Sequence, residues 1–223
     1  MTRKQLIYGL VAIAVIAIGV VAYLIFFGAS DATPVPDSGG TKLSVQLKPT
    51  DRTMGSSKAP ILFVEYAAPS CPHCSRWNSD VFPLLKAQYI DTGKVYYVFR
   101  VFPLNAVDVA AEAMARCLPA DNYFQFIDLM FRNQDKWDPE FGITDTHTAL
   151  VSMGRIAGMS AEQVDTCIGN QAEQKSITEI GQEAGTKYSI SGTPSFIVNG
   201  QFRTGEVPWE QMKTLLDSML PKK

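Results

Sequence analysis

The chain has 223 residues, with 20 Lys plus Arg against 22 Asp plus Glu and a formal net charge of −2. That balance, with no basic run and no Lys/Arg stripe, argues against a nucleic-acid partner. The length accommodates one substantial domain with additional segments.

Residues 6–27 are almost wholly apolar, carry no charge and follow Arg3 and Lys4. A helix of about 22 residues at ~1.5 Å rise crosses a hydrocarbon core of ~30 Å. The segment 1–28 therefore predicts an uncleaved signal anchor, a single-pass transmembrane helix with the N-terminus inside and the rest of the chain outside. A cleaved secretory signal ending near Ser30-Asp31-Ala32 is the alternative. Residues 29–42, with Pro34, Pro36 and Gly39-Gly40, read as a flexible linker.

Leu43, Val45 and Leu47 alternate and predict a half-buried strand. Pro60 to Tyr66 is a continuous apolar run broken only by Glu65, as suits a central strand covered on both faces. A helix is expected from Cys74 to about Asp91, kinked at Pro83 because proline removes a backbone donor and crowds the preceding turn. Val95 to Phe102 predicts a second buried strand. Helices are then expected over 107–117, 122–133, 146–157, 161–168 and 172–188. Ser160 and Gln163 have capping-box spacing, and Gly154 and Gly158 weaken the helix before them. Ser195–Val198, Asn199-Gly200 and Gln201–Thr204 read as a hairpin with a favoured two-residue turn. A last amphipathic helix, opened by Pro208, runs to Leu220. The order implies a βαβ unit. The expected class is α/β: a sheet domain over 43–104 plus 188–223, interrupted by an all-helical insertion over 105–187. Trp137, Phe124, Phe126 and Phe131 are expected to pack in the core.

Cys71-Pro72-His73-Cys74 carries the chemistry. Cysteines three apart share a helix face, so both sulfurs can meet at a first turn. Unpaired N–H groups and the helix dipole there favour the thiolate. With only one other histidine, His147, and no second CxxC, a zinc site at Cys71, His73 and Cys74 is not expected. Four cysteines in an exported chain suggest two disulfides; beside the CxxC pair, Cys117 and Cys167 are left for a structural one. Glu65, a lone acid in a buried run, should have a raised pKa. From the residues alone, Thr193-Pro194 reads either as a cis bond or as a trans proline opening an edge strand.

Together, Cys71-Pro72-His73-Cys74, the strand Phe63-Val64-Glu65-Tyr66, Phe102-Pro103-Leu104 and Gly192-Thr193-Pro194-Ser195-Phe196 resemble the DsbA-like thioredoxin family of exported bacterial thiol–disulfide oxidoreductases. The resemblance spans roughly 43–220. It implies a thioredoxin fold with an inserted helical domain, a cis Pro194 facing the active-site cysteines, and substrate peptide lying along Thr193 and Pro194 as an added strand. It implies that Cys71 is the exposed nucleophile and Cys74 the buried resolving thiol. Pro72 and the His73 imidazole would tune the pair, and Glu65 would lie beneath it to take up the Cys74 proton. Some family members carry a second cysteine pair. No cofactor or metal is implied. The implied partners are reduced or misoxidised exported proteins and a quinone-linked membrane oxidant. The protein is expected to be a monomer tethered to the bacterial inner membrane through residues 6–27, its catalytic domain in the periplasm. Disulfide isomerase or reductase activity, and a non-catalytic tethered binding or chaperone module, remain the alternatives.

Overall fold

The computed structural model describes residues 42–221. The anchor over 1–28 and all of the linker except Lys42 lie outside the described residues; among these, no helix is long and apolar enough to cross a membrane. The strands are β1 (Arg52–Met54), β2 (Ile61–Ala67), β3 (Val95–Val101), β4 (Ser195–Val198) and β5 (Gln201–Thr204). They form one sheet in the order β1-β3-β2-β4-β5. β2 is central, pairing parallel with β3 and antiparallel with β4. This is a thioredoxin fold with a helical insertion.

Helix α1 (Pro72–Asp80) follows β2, and α2 (Phe82–Leu85) runs into a π turn over Lys86–Ile90. The expected kink at Pro83 is thus a break two residues earlier, at Val81. Val81 caps α1, and Pro83 sits in the first turn of α2, where its missing N–H has no intrahelical partner to lose. Between β3 and β4 lie α3 (Ala106–Cys117), α4 (Ala120–Arg132), α5 (Gln134–Trp137), α6 (Thr146–Ile156), α7 (Ala161–Ile168) and α8 (Gln171–Tyr188). Helix α9 (Trp209–Met219) ends the fold. The Ser160/Gln163 capping box forms as expected. Gly154 is required by packing: a Cβ there would sit 2.4 Å from a Val164 methyl, so α6 and α7 approach only because the side chain is absent.

The strand expected over 43–47 does not form. Leu43 N–H donates to Gly200 O at 2.9 Å, Gln46 O accepts from Arg100 Nη2 at 2.6 Å, and Leu47 is exposed. Leu43 and Val45 cover the sheet face formed by Val64, Tyr66, Val98 and Ile197. Side-chain burial thus produces the alternation without a backbone ladder, and the first strand is the short β1. Phe63 and Ala67 belong to the opposite face, in the core that also contains Trp77 of α1 and Phe126, Phe131 and Trp137 of the insertion. Trp137 is fully buried. Cys117 and Cys167 are joined by a disulfide with a Cα–Cα distance of 6.0 Å, fastening α3 to α7.

Candidate active site

The CxxC pair sits where β2 hands over to α1. Cys71 is the N-cap of α1 and Pro72 occupies its first turn. Both cysteines are free thiols. The Cys71 Sγ accepts the Cys74 N–H at 3.2 Å, and its own thiol donates to Thr193 O at 3.4 Å. The Thr193–Pro194 bond is cis, so the loop before β4 lies directly against Cys71.

This placement splits the two thiols. The Cys71 pKa falls from 9.0 to about 6. The largest cause is the hydrogen bond from the Cys74 thiol, opposed by desolvation; the Thr193 hydroxyl and the backbone N–H groups of Cys74 and His73 add to the lowering. The Thr193 hydroxyl is buried and otherwise unpartnered. Cys74 moves the other way: burial pushes its pKa well above 9.0, and the neighbouring Cys71 adds to the rise. Two sulfurs sharing one proton titrate as a pair, with the anion on Cys71.

One expectation needs correction. Cys71 is not exposed: it retains 3% of its accessible surface, because the Thr193–Pro194 loop closes on the helix start. The His73 imidazole has partners of its own. It is a solvent-facing ring bonded to Glu206 and to Arg76, the latter at 2.8 Å, and what reaches Cys71 from His73 is its backbone N–H. A helix N-cap receives main-chain donors whichever side chain stands at the next positions.

Glu65 is 2% exposed. Its Oε2 accepts the Tyr97 hydroxyl at 2.7 Å. Burial raises its pKa from 4.5 to about 8, the Tyr97 bond opposes the rise, and the negative charge on Cys71 adds to it. A raised carboxyl pKa means that folding stability is full below 4.5 and is lost as pH rises through about 8. Glu65→Gln keeps the neutral form and an acceptor for Tyr97. It is therefore expected to stabilise the fold by roughly 3 kcal/mol at pH 7 and by nothing below pH 4. Denaturant midpoints of both proteins at pH 4 and pH 7 check this; an equal difference at both would contradict it.

Comparison with known proteins follows the same line. A family model described as Thioredoxin matches residues 47–218. The chain belongs to the DsbA-like thioredoxin family. A Rickettsia felis protein, provisionally named protein-disulfide oxidoreductase, is 31% identical over 186 residues, covering 83% of this chain and 66% of its own length. The chain thus spans just under two thirds of that relative. A Bacillus cereus protein, provisionally named disulfide bond formation protein D, is 29% identical over 228 residues, covering 99% of both chains. The crystal structure of Wolbachia pipientis alpha-DsbA1 matches with a TM-score of 0.72 at 29% identity, covering 79% of this chain and 92% of that one.

Several residues of this DsbA-like site gave no signal in the sequence. Tyr97 reaches Glu65 only because β3 pairs beside β2, with Phe63 opposite Tyr97 and Glu65 opposite Phe99. Arg76 and Glu206 meet across 130 positions, with Arg76 Nε 3.1 Å from both carboxylate oxygens. Asp108 and Gln134, from the insertion, bond to the turn that carries Cys71.

Proposed function

We propose that the protein is an exported oxidase that donates a Cys71–Cys74 disulfide to folding proteins. In the first step a client thiolate attacks the Cys71 Sγ, the Cys71–Cys74 bond breaks, and the Cys74 thiolate leaves and takes up a proton. In this reading Glu65, with its pKa near 8, takes up the Cys74 proton when the disulfide re-forms and returns it in this step. In the second step the client's other thiolate attacks its own sulfur in the mixed disulfide and Cys71 leaves as the thiolate. The client loses two electrons and the protein gains them.

The observation that carries this reading is the low pKa of Cys71. A thiolate stabilised only in the reduced state makes the reduced protein the favoured product, so the disulfide is strongly oxidising; DsbA is the standing example of that effect. The cis Thr193–Pro194 edge beside Cys71 supports a role for Thr193 and Pro194 in holding an extended client segment as an added strand. The uncharged run at 6–27 supports a single-pass tether to the bacterial inner membrane, with the active site on the periplasmic or extracytoplasmic side. A donor of disulfides also needs re-oxidation, for which this reading requires a quinone-linked membrane thiol oxidant. The protein acts in it as a monomer.

Thr193, a polar residue at the position before the cis proline, supports the second reading, an isomerase or reductase. The two are separated by adding oxidised full-length protein to a reduced two-cysteine peptide, and reduced protein to a scrambled multi-disulfide substrate. The oxidase reading expects stoichiometric peptide oxidation and weak reshuffling, and the opposite pattern would sink it. Replacing both Cys71 and Cys74 by Ala tests the non-catalytic binding or chaperone module, which predicts unchanged function in cells.

A further inference from the structure

We propose that Gln134, a residue of the helical insertion, is a positioning residue for Cys71: its carboxamide holds the two peptide groups that aim the nucleophile, so that the insertion sets the reactivity of the thioredoxin core. The proposal deepens the exchange reading above and rests on it.

The turn leading into α1 is short and crowded. Cys71 N–H donates to Ala68 O at 3.0 Å, which closes the turn. The carbonyls of Pro69 and Cys71 are left to other donors. Gln134 Nε2 donates to both, at 2.7 Å and 3.0 Å, so each amide hydrogen has its own acceptor. The Cys71 carbonyl also takes the first helical bond, from Ser75 N–H at 3.1 Å. On the other side of the turn, Asp108 of α3 accepts Ser70 N–H at 2.8 Å and the Ser70 hydroxyl at 3.0 Å. Two side chains of the insertion thus satisfy Pro69, Ser70 and Cys71.

Burial makes these bonds consequential. Gln134 is 6% exposed, Asp108 fully buried and Ser70 3% exposed, so little solvent is at hand to replace a lost donor. Without Gln134 the Pro69 carbonyl loses its donor among the described hydrogen bonds, while the Cys71 carbonyl keeps the Ser75 N–H alone. A buried carbonyl without a partner is costly, so the turn before Cys71 is expected to shift toward another donor and to move the sulfur relative to the N–H groups of His73 and Cys74. A sulfur–amide contact that stands at 3.2 Å weakens steeply with such misalignment. The bonds also act in one direction electrostatically, since they hold two carbonyl oxygens on the Gln134 side of the turn, where a positive amide edge faces them.

The other buried polar networks of the insertion lack this relation to the thiols. Arg116 and Tyr123 both donate to Glu112 within α3 and α4, and none of the three bonds to the turn at 69–71 among the described hydrogen bonds. Gln134 alone brings a side chain of the α4–α6 region to the Cys71 main chain among the described hydrogen bonds. The position gave no sequence signal, because a glutamine opening a four-residue helix has no reason, locally, to be buried.

The test uses the reduced full-length protein and three variants: Q134M, of similar length with no donor; Q134A, as a second variant should the first not fold; and Q125M, on the exposed face of α4, as a control. Thiolate absorbance against pH gives the Cys71 midpoint. Equilibration with glutathione gives the potential. Q134M is expected to raise the midpoint by about one unit, which is a tenfold loss of thiolate preference and, by the two-electron relation, about 30 mV. Q125M is expected to change neither. In wild-type protein, the Gln134 side-chain amide resonances are expected to shift with pH at the Cys71 midpoint, a readout that needs no variant. A low wild-type midpoint that Q134M or Q134A leaves in place, or Gln134 amide resonances that stay flat through the Cys71 titration, overturns this proposal alone. A wild-type midpoint at the ordinary thiol value overturns the exchange reading and this proposal with it.

Discussion

Protein carrying Cys71→Ser transfers no disulfide to a reduced peptide, while Cys74→Ser, given a disulfide-bonded peptide, attacks it through Cys71 and accumulates the mixed disulfide, the peptide's other sulfur leaving as the thiol. The expectation follows from the opposite pKa displacements of the pair. With a pKa of about 6, Cys71 is about nine-tenths ionised at pH 7, against about one part in a hundred for a thiol at 9.0. That ~90-fold gain in thiolate does not translate into attack rate. Nucleophilicity falls by about 20-fold over three pKa units for a Brønsted slope of 0.4–0.5, so iodoacetamide should react with Cys71 only several-fold faster than with a free thiol at pH 7, with a midpoint near pH 6. The larger consequence is on the leaving side: Cys71 departs readily from a mixed disulfide and is content as an anion afterwards.

The same displacement predicts how stability depends on pH. The folded pKa of Cys71 lies below the unfolded value of 9.0. Its contribution to the reduced protein is therefore full above pH 9, fades as pH falls toward 6 and is absent below 6. Cys74, displaced upward, is protonated in both folded and unfolded protein below pH 9 and adds no pH dependence there. Denaturation of reduced and oxidised protein at pH 5, 7 and 9 should show the reduced form gaining on the oxidised one as pH rises. A gap that stays constant over this range would refute the thiolate account.

Removing the second disulfide is expected to have the largest effect on the fold itself. Cys117 and Cys167 are separated by 50 positions, and a loop of that size corresponds to ~4 kcal/mol in the chain-entropy treatment. Global stabilities of such domains are about 5–15 kcal/mol. The double variant C117A/C167A should therefore lose a large share of its denaturant resistance without a change in fold. Replacing both cysteines avoids leaving a reactive thiol behind. The closed loop contains α4, α5, α6 and most of α7, and with them Gln134, so the loosened segment is the one that bonds to the Cys71 turn. Equal denaturant midpoints for wild-type and C117A/C167A would contradict the prediction.

Much of this was written locally. The CxxC at a strand-to-helix junction, the Asn199-Gly200 hairpin, the Ser160/Gln163 cap and the apolar run of β2 are short-range patterns. Each follows from backbone geometry or from burial of one contiguous segment, and the structure has the hairpin and the capped helix with the bounds expected for them. Glu65 stood out as a lone acid in an apolar strand, because a charge among buried residues is costly wherever the chain goes. The alternation at 43–47 misled for the same reason that it was visible: it reports which side chains are buried and says nothing about whether a neighbouring strand is there to bond with.

What the tertiary structure decided lies in contacts between distant segments. The burial of Cys71 depends on Thr193, 122 positions away. The partner of Glu65 comes from an adjacent strand, and the imidazole of His73 is drawn outward by Glu206 and Arg76. Gln134 and Asp108 find the Cys71 turn only once the insertion has packed on the sheet. Hydrogen bonds act over about 3 Å, so their partners are chosen by the final packing of elements, whereas helix caps, turns and hydrophobic periodicity are settled within a few residues. The amino-acid sequence by itself determined that a reactive dithiol would stand at a helix start in a thioredoxin-like sheet. Only the folded arrangement decided which groups hold its sulfur as an anion.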